Sequence, residues 1–214
     1  NLIRLGSKGL VRVSKERKRD EIFKILEGNR IGAAAQLMEK FSIFENSNIQ
    51  PVSDFKSGCR CSEVLDQMIA LLCGRSTADK NASFYKVSLL LRLGRFKESL
   101  EEHFYQKKMT GRNRKSLLML AMVMKINHDE QVNELSNQLA LSSDEWSILH
   151  TLAGQMSYQH EYWQDRQNFD RRSIYRYFHQ NGDVGVDLAF IALATYASRV
   201  GGEFIQLEWL RLLE

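Results

Sequence analysis

The sequence predicts an all-α protein, a body of roughly ten to twelve helices with no sheet. Three observations carry this. Apolar residues recur at three- and four-residue spacing through most of the 214 residues, which is the period of a helix with one buried face. Turn residues are scarce, with one proline and 13 glycines, too few for a chain that must reverse direction between many strands. Cap residues such as Ser14, Asp170 and Asp183 stand where the periodic stretches begin, offering side-chain oxygens to unpaired first-turn N–H groups.

In order along the chain, an amphipathic piece (1–13) precedes a helix opened by Ser14 and carrying Ile22, Ile25 and Leu26 on one face. Glu16 and Asp20 lie towards the positive end of its dipole, and Glu27-Gly28-Asn29 ends it. A second helix is expected from Arg30 to Phe44, with Ala33, Ala34, Leu37, Met38 and Phe41 facing inward. Glu45 to Cys61 reads as a polar connection containing Pro51 and placing Cys59 and Cys61 in a loop. Helices follow over 62–73, 83–93 and 95–106. Lys107 to Lys115, the densest basic stretch, contains Gly111 and reads as a loop. Ser116 to Met124 is an apolar helix and His128 to Leu139 an amphipathic one. After a break at Leu141-Ser142, a helix carries Trp146, Leu149 and Leu152, and the boundaries of the polar, aromatic stretch 154–167 are not defined by its pattern. Asp170 caps the next helix, with Phe169 and Ile174 in the positions of a hydrophobic staple. It stops at Asn181-Gly182, where glycine suits a left-handed C-terminal turn. Asp183 then caps a helix apolar all round, the mark of a buried one.

Composition narrows the function classes. No apolar run approaches the roughly 20 residues needed to span a bilayer, and no signal-peptide pattern is present. Three cysteines, Cys59, Cys61 and Cys73, are odd in number and lack a paired CxxC arrangement, which points to free thiols in a reducing, cytoplasmic setting. The net charge of +4 permits an anionic partner without demanding one. The first residues and the final EFIQLEWLRLLE both read as interior sequence, so a fragment of a longer protein is expected.

The stretch RRSIYRYFHQNGDVGVDLAFIALA (171–194) resembles RRAIYRFFRDTGDAGVDLLLLSLAD, typical of the C-terminal half of bacterial class II tRNA nucleotidyltransferases and poly(A) polymerases. The segment from Glu16 also resembles that family, whose vsxERIRDELxKILxG helix precedes AxxLLxxLGLL. The resemblance implies that Glu16, Arg17 and Glu21 brace the neck of the enzyme, while local i,i+4 pairing accounts for the same charges. It further implies that residues 1–58 form a neck- and body-like helical segment and residues 59–214 the body and tail. The partner implied is RNA, in particular tRNA, with no membrane, and a nucleotidyltransferase head belongs upstream of Asn1.

That head's chemistry needs a Gly-Ser followed by Asp-x-Asp to hold two metals, and these 214 residues contain no such arrangement. Without convergent carboxylates no two-metal site forms. No cofactor is therefore expected here, and Mg2+ with ATP or CTP only if a head lies upstream. Residues 116–160 resemble an HD-type phosphohydrolase region in degenerate form: Met124-Lys125 stands where His-Asp belongs, Gly154-Gln155-Met156 replaces a second His motif, and His128 remains as a helix start. This chain is expected neither to add nucleotides nor to hydrolyse phosphoesters.

What remains is electrostatic. Arg171, Arg172 and Arg176 fall near one helix face with Tyr175, Tyr177 and His179 interleaved. Guanidinium groups suit phosphate oxygens and aromatic rings suit unpaired bases. The alternative is that the arginines are merely solvated while Ile174, Tyr175 and Phe178 fill the core. Lys107, Lys108, Arg112, Arg114 and Lys115 form a second candidate phosphate contact. A rival for the whole chain is a protein-interaction scaffold, because FYKVSLLLRLGRFKESLEEHF (84–104) looks like a tetratricopeptide unit. No second copy stands at the 34-residue offset such repeats keep.

Overall fold

The computed structural model describes residues 2–49, 54–76, 84–107, 111–164, 170–199 and 213. Among these residues the regular structure is helical, with one isolated antiparallel bridge between Lys107 and Asn113 and no strand. The helices are α1 (Leu2–Ser7), α2 (Lys15–Glu27), α3 (Ile31–Lys40), α4 (Ile43–Asn46), α5 (Phe55–Leu72) and α6 (Phe84–Leu93). They continue with α7 (Lys97–Tyr105), α8 (Arg114–Met124), α9 (Asp129–Leu139), α10 (Ser143–Gln164), α11 (Arg171–Asn181) and α12 (Gly185–Arg199). Short 3-10 turns join α1 to α2, α6 to α7 and α11 to α12.

Local chemistry sets many of these boundaries. Ser14 Oγ accepts the Arg17 N–H at 3.4 Å, Asn113 Oδ1 accepts the Ser116 N–H at 2.8 Å, and Asp170 Oδ1 accepts the Ser173 N–H at 2.7 Å. Ser142 and Glu145 satisfy one another's N–H groups at 2.8 and 3.3 Å, a capping box that starts α10. Lys125 (φ 46°) and Ala140 (φ 48°) take the left-handed conformation that closes α8 and α9.

The centre is built from α5, α8 and α12. Helix α5 packs against α3, α8 and α12, and every residue of α8 is buried. Leu65, Ile69, Leu118, Phe190 and Leu193 belong to one continuous core with Phe23 and Ile31. Burying such a side chain contributes about 1.5–3 kcal/mol. The helices cross closely where side chains are absent. A Cβ on Gly58 would stand 2.5 Å from the Met122 carbonyl oxygen of α8, and one on Gly32 would collide with the Cys59 carbonyl oxygen.

Several expectations change. Cys59 and Cys61 lie not in a loop but buried inside α5, which starts at Phe55. The division drawn between residues 58 and 59 falls within that helix, and the core draws on both sides of it. The second helix is broken at Ser42 (φ 56°), and its inner face is Ile31, Ala35 and Met38 while Leu37 is exposed. Asp183 sits in a 3-10 turn ahead of α12. Pro51, Phe169 and Lys108 lie outside the described residues. No described helix is long and apolar enough to cross a membrane.

Candidate nucleic-acid interface

Helix α11 has two chemically distinct sides. At 100° per residue, Arg171, Arg172, Tyr175, Arg176 and His179 fall within one sector, and all five are exposed. Ser173, Tyr177 and Asn181 occupy the opposite side and are buried. Tyr177 anchors the helix by donating its hydroxyl to the Gly185 carbonyl at 2.7 Å, and Asn181 donates to the Tyr177 carbonyl at 2.8 Å. At Gly185 a Cβ would come 2.8 Å from the Phe178 ring, so glycine lets α12 start hard against α11. The core side of the helix is thus Tyr177, with half-buried Ile174 and Phe178 packed against the core beside it, whereas Tyr175 is 68% exposed. Its ring centroid lies 5.7 Å from that of His179, with the planes tilted by 36°.

Arg171, Arg172 and Arg176 form no ion pair among the described residues. The described carboxylate beside them is Asp170, whose acceptance of the Ser173 N–H holds it below the usual range, with Arg172 and Arg176 adding charge attraction. Among the described residues, three guanidinium groups stand against one carboxylate on this face.

The second basic stretch is placed otherwise. Lys107 is exposed. Arg112 is ion-paired with Asp20, lies 3.7 Å from Glu145 and stacks over Phe23 at 4.8 Å. Arg114 and Lys115 are buried in the first turn of α8, not in a loop. Arg114 Nε donates to Asp187 Oδ2 at 2.7 Å and its Nη2 to the Asp183 carbonyl at 3.1 Å. Asp187 is fully buried, and His103 Nε2 lies 2.8 Å from its other oxygen. Lys115 Nζ meets Asp66 Oδ1 at 2.6 Å. These cations hold the body together, and a phosphate would have to displace a carboxylate to reach Arg114 or Lys115.

Of the residues expected to brace a neck, Glu16, Arg17 and Glu21 are exposed on α2. Their described contacts are local: the Ser14 cap holds Arg17 N–H, and Lys24 donates to Glu21 at 2.7 Å. The neighbours between them tie α2 to the body instead. Lys18 Nζ donates to the Ser47 carbonyl at 3.3 Å, Arg19 to the Ala140 carbonyl at 2.6 Å, and Asp20 pairs with Arg112. No local pattern in the sequence marks Lys18 and Arg19 apart from Arg17, because their partners lie far along the chain.

In the HD-like stretch, Met124 is buried and Lys125 Nζ pairs with Asp54 at 2.6 Å. His128 is the N-cap of α9, with its N–H donated to Gln131 Oε1 at 3.3 Å. Among the described residues no group of three or more His, Cys, Asp or Glu is placed to hold a metal ion.

Fold and site together define an all-α body, tied by buried ion pairs, that presents one arginine-and-aromatic helix face. Compared with family models and with curated proteins, the chain matches none.

Proposed function

We propose that this chain is the RNA-gripping helical body and tail portion of a protein of the tRNA nucleotidyltransferase and poly(A) polymerase type, and that α11 supplies the grip. The observation that carries this reading is the exposed sector of α11, where Arg171, Arg172 and Arg176 flank Tyr175 without an ion pair among the described residues. Arginine left unpaired on one face is chemically suited to phosphate oxygens. The segment 171–194, which resembles that family, is the same segment that forms this face. Contacts go chiefly to phosphates, which position a nucleic acid without reading its sequence. Nucleotide addition is not assigned to these residues, since the sequence has no Asp-x-Asp pair, nor is phosphoester hydrolysis, since Met124-Lys125 stands where an HD-type His-Asp would.

Affinity for tRNA across a salt series tests the reading. Binding weakens linearly in log–log form as counterions compete, and replacing all three arginines with Gln lowers the slope by about 2–3 while the helical circular dichroism stays unchanged. Absence of tRNA binding at low salt, or a triple variant that binds like the parent, rejects it.

One observation favours a second reading, a helical protein-interaction scaffold. The tetratricopeptide-like stretch 84–104 covers α6 and most of α7, and Val87, Leu90 and Leu91 make an exposed apolar stripe on α6. On that reading tRNA does not bind and the arginine replacements are silent.

A further inference from the structure

We propose that the α11 face takes an unpaired base stacked on the Tyr175 ring, so that its preferred ligand is single-stranded RNA and not a duplex; this rests on the RNA reading above. The other large aromatics of the centre are inside: Phe23, Phe104, Phe190 and Tyr177 are buried. Tyr175, two positions from buried Tyr177, projects on the opposite side and remains 68% exposed. A ring left in water loses the stabilisation that burial provides, and stacking against a base restores it.

The surroundings match a nucleotide. Arg172 and Arg171 stand three and four positions before Tyr175 and His179 four after, so all adjoin it on the helix surface. Arg176 follows it directly. The arginines supply charge for the phosphates on either side of a stacked base. Asp170 at the helix start and Asp183 beyond its end are the exposed carboxylates nearest in sequence, and they leave the middle of the face to the arginines.

Geometry limits the platform to one base. The Tyr175 and His179 centroids are 5.7 Å apart, whereas a base sandwiched between two rings needs about 6.8 Å, twice the ~3.4 Å stacking rise. A base does not fit between the two rings and lies on the tyrosine face turned away from His179. In a duplex the base faces are already covered by their neighbours, so this ring gains nothing from one beyond its ends.

Three ligands tested with the whole chain separate the contributions: an oligoadenylate about twelve nucleotides long, a blunt RNA duplex of that length, and an abasic strand with the same phosphates. The oligoadenylate is expected to bind about tenfold more tightly than the abasic strand. Tyr175→Ala should abolish that difference without changing the salt slope, and Tyr175→Phe should keep it, since stacking needs the ring and not the hydroxyl. Circular dichroism confirms that each variant is folded. Equal binding of base-bearing and abasic strands, tighter binding of the duplex, or a silent Tyr175→Ala overturns the stacking while leaving the phosphate grip standing. If none of the three ligands binds at low salt, the RNA reading falls too and the face is left to a protein partner.

Discussion

Asp187 holds a carboxylate with none of its surface exposed, between Arg114 on one oxygen and His103 on the other. A buried ion pair gives little net stability compared with an apolar substitute, but removing one partner strands the other. Asp187→Asn is therefore expected to cost about 3–5 kcal/mol. For a chain of this size that lowers Tm by roughly 10 °C, read by thermal denaturation. A change of under two degrees would show that Arg114 finds another partner. The cysteines show the opposite use of burial. Desolvation pushes the Cys59 thiol up to about 12, with Glu39 adding to it, and the Cys73 thiol up to about 11, with Glu101 adding to it. Both stay protonated at neutral pH and serve as packing groups. Their free state was legible from number and spacing, but the burial was not. Arg112, Arg114 and Lys115 read as solvated loop cations because the sequence around them holds no carboxylate. Arg112 meets its partner Asp20 across 92 positions, and Arg114 meets Asp187 across 73.

At the scale of elements, α5 shows how a pattern misleads. Ser57-Gly58-Cys59-Arg60-Cys61 lacks large apolar residues and reads as a connection, yet it lies in the first half of the helix that α3, α8 and α12 all touch. Small residues there permit close approach. Gly→Ala inside a helix ordinarily stabilises by about 0.5–1 kcal/mol. At Gly58 the added Cβ meets two backbone oxygens, of Met122 at 2.5 Å and Val123 at 2.9 Å, and backbone cannot step aside. Gly58→Ala should therefore destabilise by about 1–3 kcal/mol, measured by urea denaturation. Gly94→Ala, where no atom lies within 4 Å, is the control and should show no such loss. Helix α11 was more legible. Its cap, its glycine stop and its arginine face all follow from local sequence, and only the choice between Tyr175 and Tyr177 as the inward ring needed the neighbouring α12.

For the molecule as a whole, several carboxylates report on stability against pH. In Asp20 desolvation opposes ionisation, but hydrogen bonds and charge from Arg19 and Arg112 outweigh it and hold the carboxyl below its usual range. Lys125 does the same for Asp54, backbone and Ser14 hydrogen bonds for Glu16, and Ser173 for Asp170. A carboxyl with a lowered folded value stabilises the fold at pH above the unfolded value and ceases to do so as pH falls through the folded one. The urea midpoint should therefore hold steady from pH 7 to 5 and decline below about pH 4. A midpoint that rises on acidification would contradict the sign. The decline should be gradual, because these groups are largely solvent-exposed and each contributes little.

Local pattern is enough to read the all-α class, most helix boundaries from α6 onwards and the shared face of Arg171, Arg172 and Arg176 on α11, because periodicity, caps and turn residues act within a few positions of one another. Tertiary structure alone decided which charges remain on the surface. Glu16, Arg17 and Glu21 stay in solvent while Lys18, Arg19 and Asp20 tie α2 to the body, and Arg112, Arg114 and Lys115 of the second basic stretch close onto Asp20, Asp187 and Asp66. Such pairs depend on which helices cross, and that is set by how the apolar faces of α5, α8 and α12 fill one core. A charge's neighbours along the chain carry no record of that crossing.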